Sequence, residues 1–214
     1  MDSDQWAHRL LIVQDDIDHD DPPHEIIRGL TDFFTTAGRL VENYSTQQIN
    51  DGLWFLSSPR CDLLYTLYDE QVDVALRLGC VEAIRAMYEN LFAPHCRRIM
   101  SNGVETPPEE PLNSICYMWW DNFPSWGRPE EPYHRRIDSA LLAVMRDNLA
   151  GKNIACVESG LHGLGHWHHN YPDQVETTID DFLRTHRRLT PHSANTPSPP
   201  AAATSCELAH NTIR

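Results

Sequence analysis

No stretch of the 214 residues approaches the roughly 20 consecutive apolar positions that a membrane-spanning helix needs, so no membrane partner is expected. The six cysteines, Cys61, Cys80, Cys96, Cys116, Cys156 and Cys206, stand singly with no CxxC pair, and no hydrophobic secretion segment follows Met1. This pattern predicts a reducing, cytoplasmic setting in which the first five cysteines are small buried apolar residues. Basic residues are scarce: 17 Lys and Arg face 31 Asp and Glu, for a formal net charge of -14. Such a chain is not expected to bind nucleic acid by neutralising phosphates. A basic protein partner suits it. GxSxG, P-loop and Rossmann glycine patterns are missing too, so no motif announces a nucleophile or a nucleotide site.

About half of the acidic excess lies at the front, where Asp2, Asp4, Asp15, Asp16, Asp18, Asp20, Asp21 and Glu25 face the single Arg9. Residues 1–23 therefore read as an acidic N-terminal segment, 24–189 as one helical domain, and 190–214, rich in Pro, Ala, Ser and Thr, as a disordered tail.

Sustained alternation of apolar and polar residues is absent, while apolar spacings of three and four recur, which predicts an all-α domain. Ile27, Leu30, Phe34, Ala37 and Val41 predict one long helix over 24–44, and Ser45 or Thr46 caps the next. Val72, Leu76, Ala83, Ile84, Met87 and Leu91 stripe residues 70–93 up to Pro94, which is expected to stop the helix. "ETPPEEP" and "PSWGRPEEP" are acidic loops on either side of the short helical stretch "LNSICYMWWDNF". Ile137, Leu141, Val144 and Met145 mark a helix that Gly151 is placed to end in the left-handed conformation. Further helices run from about Asn153 and Pro172. Connections this short make neighbouring helices antiparallel.

The block "IDSALLAVMRDNLAGKNIACVESGLHGLGHWHHNYPDQVETTIDDFL", roughly residues 137–187, resembles the helix pairs of HEAT or armadillo-type α-solenoids. The resemblance implies stacked antiparallel helices that offer a binding surface. An irregular helical bundle gives the same pattern.

Within that block, "GLHGLGHWHH" (160–169) is the most chemically pointed stretch. On a helix, Ile154, Val157, Leu161 and Leu164 share an apolar sector. Glu158, His162 and His166, four apart, line its flank, and His168 rotates back towards the core. Glu158, His162 and His166 could bring a carboxylate and two imidazoles to zinc or iron, with His95 or Cys96 completing the set and His134 a further donor. The alternative is structural, with His162 and His166 bonded to carbonyls or to acids such as Asp121 and Asp180. Gly160, Gly163 and Gly165 each cost about 1 kcal/mol in a helix interior. They point to close packing, at Gly165 in particular, with Trp119 or Trp120 as the neighbour.

Two other stretches bear on function. "LLIVQDDIDHDDPPHE" is similar to the aspartate-rich magnesium motif of prenyl diphosphate synthases, but His19 stands at the third aspartate position. The stretch also lacks the glycine and glutamate of a calcium loop, and it reads as an exposed linker. "CYMWWDNFPSWG" supplies the candidate binding residues Trp119, Trp120 and Trp126. The adjacent pair would point about 100° apart on a helix, so one of them is expected to line a groove.

Two functions follow. The first is a cytoplasmic, acidic adaptor or inhibitor, of the immunity-protein kind, that engages a basic protein and needs no cofactor. The second is a small metal-dependent hydrolase or oxidase built on Glu158, His162 and His166.

Overall fold

The computed structural model describes residues 3–14, 21–100 and 111–187, and among them every regular element is helical. The fold is all-α, and no described helix is long and apolar enough to cross a membrane. The elements are α1 (Ser3–His8), α2 (Pro23–Thr35), α3 (Leu40–Asn43), α4 (Thr46–Ser57), α5 (Val74–Met87), α6 (Ala93–His95), α7 (Pro111–Met118), α8 (Arg135–Asn148), α9 (Ile154–Trp167) and α10 (Pro172–Arg187).

The helices stack in pairs, which is compatible with a solenoid-like arrangement. α2 lies on α5, α5 on α8, and α8 on α9; α7 bridges α4 and α9, and α10 leans on α9. One contiguous apolar core runs from Trp6 to Leu183. The helical core extends N-terminal of residue 24, because α1 continues in a wide turn to Val13 and buries Trp6, Leu10 and Leu11. Residues 15–20, which carry most of the aspartate-rich stretch, lie outside the described residues, as do the "ETPPEEP" loop up to Glu110 and the tail.

One expected helix breaks and two helix ends are made differently from expectation, each for a local reason. The helix predicted over 24–44 breaks after Thr35, where the Thr36 hydroxyl donates to the Asp32 carbonyl and the chain tightens into a short turn, Ala37–Arg39. Pro94 does not stop the helix at once. α5 widens into a five-residue turn over Tyr88–Phe92 and continues without a break into α6, and the chain turns extended at Cys96, two residues after the proline. Gly151 is not left-handed. The N–H groups of Leu149, Ala150 and Gly151 donate in succession to the carbonyls three residues back, so α8 winds down through a tightened turn.

Elsewhere the local chemistry gives what it announces. Ser45 forms a reciprocal capping box with Gln48 at the start of α4, and Asp73 caps α5 by accepting from the Ala75 N–H. The five described cysteines are free and buried.

Candidate metal centre

α9 begins where Asn153 links three segments. Its side-chain oxygen accepts from the Ala155 N–H, and its amide donates to the carbonyls of Ala93 and Cys96. Along the buried face, two glycines admit neighbours that no side chain would tolerate. A Cβ on Gly160 would lie 2.7 Å from the Met145 carbonyl oxygen of α8, and one on Gly163 would lie 2.7 Å from the Trp120 ring. Trp120 is thus the expected neighbour, received at Gly163; Gly165 is exposed. Between the two glycine contacts, the buried Ser159 hydroxyl donates to the Cys116 carbonyl and accepts from the Tyr88 hydroxyl at 2.7 Å. α9 is therefore fixed in rotation against both α7 and α8.

With that face locked, the adjoining edge presents His162 and His166 to the turn that follows α7. Their Nε2 atoms lie 3.3 Å apart. Asp121 Oδ1 lies 2.7 Å from His166 Nε2 and 3.9 Å from His162 Nε2, so both imidazoles converge on one carboxylate oxygen. The three side chains form a possible metal-binding triad, each partly open to solvent. Aromatic rings hold the imidazoles from either side. Tyr117 stacks on His162 at 4.2 Å between centroids, and Trp126 stacks on His166 at 4.7 Å.

Asp121 is placed by the chain that leaves α7. Its backbone N–H donates to the Met118 carbonyl, and the segment beyond it is tied down repeatedly. Trp126 Nε1 donates to the Trp120 carbonyl, Asn170 donates to the carbonyls of Trp126 and Gly127, and the buried Asp138 accepts from the Arg128 N–H and the Tyr171 hydroxyl. At Gly127 φ is +90° and the Tyr171 ring lies where a Cβ would stand, so glycine is required there.

The other anticipated residues lie elsewhere. Glu158 is fully buried one turn before His162, and it is Asp121 that joins the histidines. Burial, reinforced by the charges of Glu158 and Asp121, raises the Tyr117 pKa. His95 is exposed at the end of α6, and Cys96 is buried beside Cys116, whose thiol is pushed up by burial and by its cysteine neighbours. Neither joins the triad, nor does His134, which packs on Tyr68. His168 does not turn into the core: Trp167 takes that position, and His168 pairs with Glu176 at 3.1 Å. Trp119 and Trp120 are both fully buried, against the expectation that one lines a groove. α7 ends at Met118, so the pair sits on a turn and can fill two sides of the core. Trp119 meets Phe34 edge-on and Trp120 stacks on Tyr88. Trp126 is the exposed member of the three.

Asp121 also borders a cleft of about 240 Å³ between the end of α4 and the 121–124 turn, walled by Ser57, Ser58, Tyr65, Asn122 and Phe123 among others. Cys61 lies on its wall, but burial pushes that thiol up to about 11, which keeps it protonated at neutral pH and a poor nucleophile. Comparison with protein-family models, with curated proteins and with solved structures found no match for this chain.

Proposed function

We propose that Asp121, His162 and His166 bind a divalent transition metal, zinc or iron, and that the protein is a small metal-dependent enzyme of the hydrolytic kind. The convergence of the three donor atoms carries this reading. Two ligands held about 2.0–2.1 Å from a tetrahedral ion stand about 3.3–3.4 Å apart. The separations of 2.7, 3.3 and 3.9 Å scatter around that value. Three protein ligands leave a position for water or substrate, and each of the three side chains is partly open to solvent. A metal bound there would act as a Lewis acid and lower the pKa of a coordinated water towards 7. The chain's own part is to orient the imidazoles between Tyr117 and Trp126 and to hold Asp121 on a pinned turn.

Elemental analysis and zinc titration of untagged protein test the centre. One equivalent is expected, lost in His162→Ala/His166→Ala and weakened about 10-fold or more in Asp121→Asn. Metal-dependent hydrolysis of p-nitrophenyl acetate, abolished in the same variants, tests the chemistry. Absence of stoichiometric binding to the intact protein removes the reading.

A second reading has its own support in the charge distribution. On it, the protein is an acidic adaptor or inhibitor whose HEAT-like helix stack engages a basic protein. The net charge is -14, and α10 exposes Asp173, Glu176, Asp180 and Asp181. Electrostatic association should weaken steeply with salt. Binding of basic proteins that is insensitive to ionic strength would count against it.

A further inference from the structure

α10 packs on α9 and leaves a trough between itself and α8. Two adjoining cavities of about 480 and 420 Å³ share Arg146, Thr178 and Asp181, so they form one continuous surface feature. The lining runs along α10 from Asp173 to His186, which at 1.5 Å per residue is roughly 20 Å. Leu142, Ala143, Leu149 and Phe182 give it an apolar floor.

Beside Gln174 and His186, the α10 wall is rich in acceptors. The hydroxyls of Thr177, Thr178 and Thr185 donate to the carbonyls of Asp173, Gln174 and Asp181 on their own helix, which turns their remaining lone pairs outward. Asp173 and Asp181 add carboxylates. The opposing cation, Arg146, pairs at 2.8 Å with Asp147, a carboxylate that Arg85 also engages, and Arg184 pairs with Asp181 in an exposed contact that competes weakly. An acceptor-rich wall over an apolar floor, with Arg146 the one Lys or Arg among the described residues of the lining, suits a partner that brings N–H donors, positive charge and apolar anchors.

We infer that the α8–α10 trough docks a basic amphipathic segment of a protein partner. The inference rests on the acidic-binding reading and is independent of the metal centre. The probe is a fluorescein-labelled amphipathic peptide of leucine and lysine, titrated with the full chain and followed by anisotropy.

Saturable one-to-one binding is expected, weakening about 10-fold or more as NaCl rises from about 0.05 to about 0.5 M. Asp173→Lys/Asp181→Lys should reduce affinity about 10-fold or more, and Ala143→Trp, which fills the floor, should also reduce it. Asp32→Lys/Glu70→Lys, a matched charge reversal at exposed positions outside the trough, should retain most of the affinity. Equal losses in the two charge-reversed proteins would overturn the trough and leave the acidic-binding reading standing. No binding at low salt would overturn both. A dimer of the native chain that dissociates in Asp173→Lys/Asp181→Lys would identify a second copy as the occupant and overturn the proposal.

Discussion

The two faces of α9 are built to opposite specifications from one short sequence. The inner face removes side chains: Gly160 and Gly163 let the α8 backbone and the Trp120 ring approach to contact, and Ser159 completes the seal with two buried hydrogen bonds. The outer edge adds polar side chains, leaves them partly wet, and brackets them with aromatic rings. Together they show how a helix carries a reactive edge with precision. The donors need not be rigid themselves if the face behind them cannot rotate.

The contrast can be broken from the inside first. Gly160→Val drives methyl groups into the Met145 carbonyl, which cannot yield without moving α8. The expected loss is about 3 kcal/mol or more, read as a fall in Tm of roughly 6–12 °C. From the outside, zinc at about 100-fold above its Kd should stabilise the native chain by about 2.7 kcal/mol, a rise in Tm of roughly 5–10 °C. That rise should vanish in His162→Ala/His166→Ala and shrink as acid protonates the ligands, while the variant's metal-free Tm stays close to that of the native chain. Ser159→Ala sharpens the comparison. It strands the Cys116 carbonyl and the Tyr88 hydroxyl in the core and should cost about 1–3 kcal/mol in urea unfolding, with zinc stoichiometry unchanged. The smallest effect carries the opposite sign. Gly165 is helical and exposed, so Gly165→Ala should stabilise by up to about 1 kcal/mol and leave both faces working.

The helices were legible because apolar spacing and caps are local properties. Ser45, Asp73 and Asn153 do at their helix starts what their side chains dictate. The pairing of His162 with His166 was legible for the same reason, since residues four apart on a helix share a side. Their carboxylate was harder to assign: the sequence suggests Glu158 as the ligand and Asp121 only as a hydrogen-bonding acid in the structural alternative. Glu158 has the right spacing, but the rotation that packs Gly160 and Gly163 inward also buries Glu158. Asp121 arrives from a turn whose path depends on Asn170, Asp138 and Tyr171, residues distant in the chain. The fate of the tryptophan pair was hidden similarly: helical projection fails once α7 ends at Met118. The break at Thr36 depends on a side-chain hydroxyl competing for a backbone carbonyl, and the wide turn before Pro94 lets the helix run one residue past it; periodicity registers neither.

The stacking of Trp126 on His166 has an optical consequence. Among the described tryptophans Trp126 alone is exposed, and its indole lies face to face with an imidazole of the triad. A proton on that imidazole, or an ion drawing its electrons, alters the emission of the ring above it. The enclosed Trp119, Trp120 and Trp167 provide a steadier background. The protein therefore carries its own fluorophore at the centre, and the state of His166 can be followed by light without attaching a label.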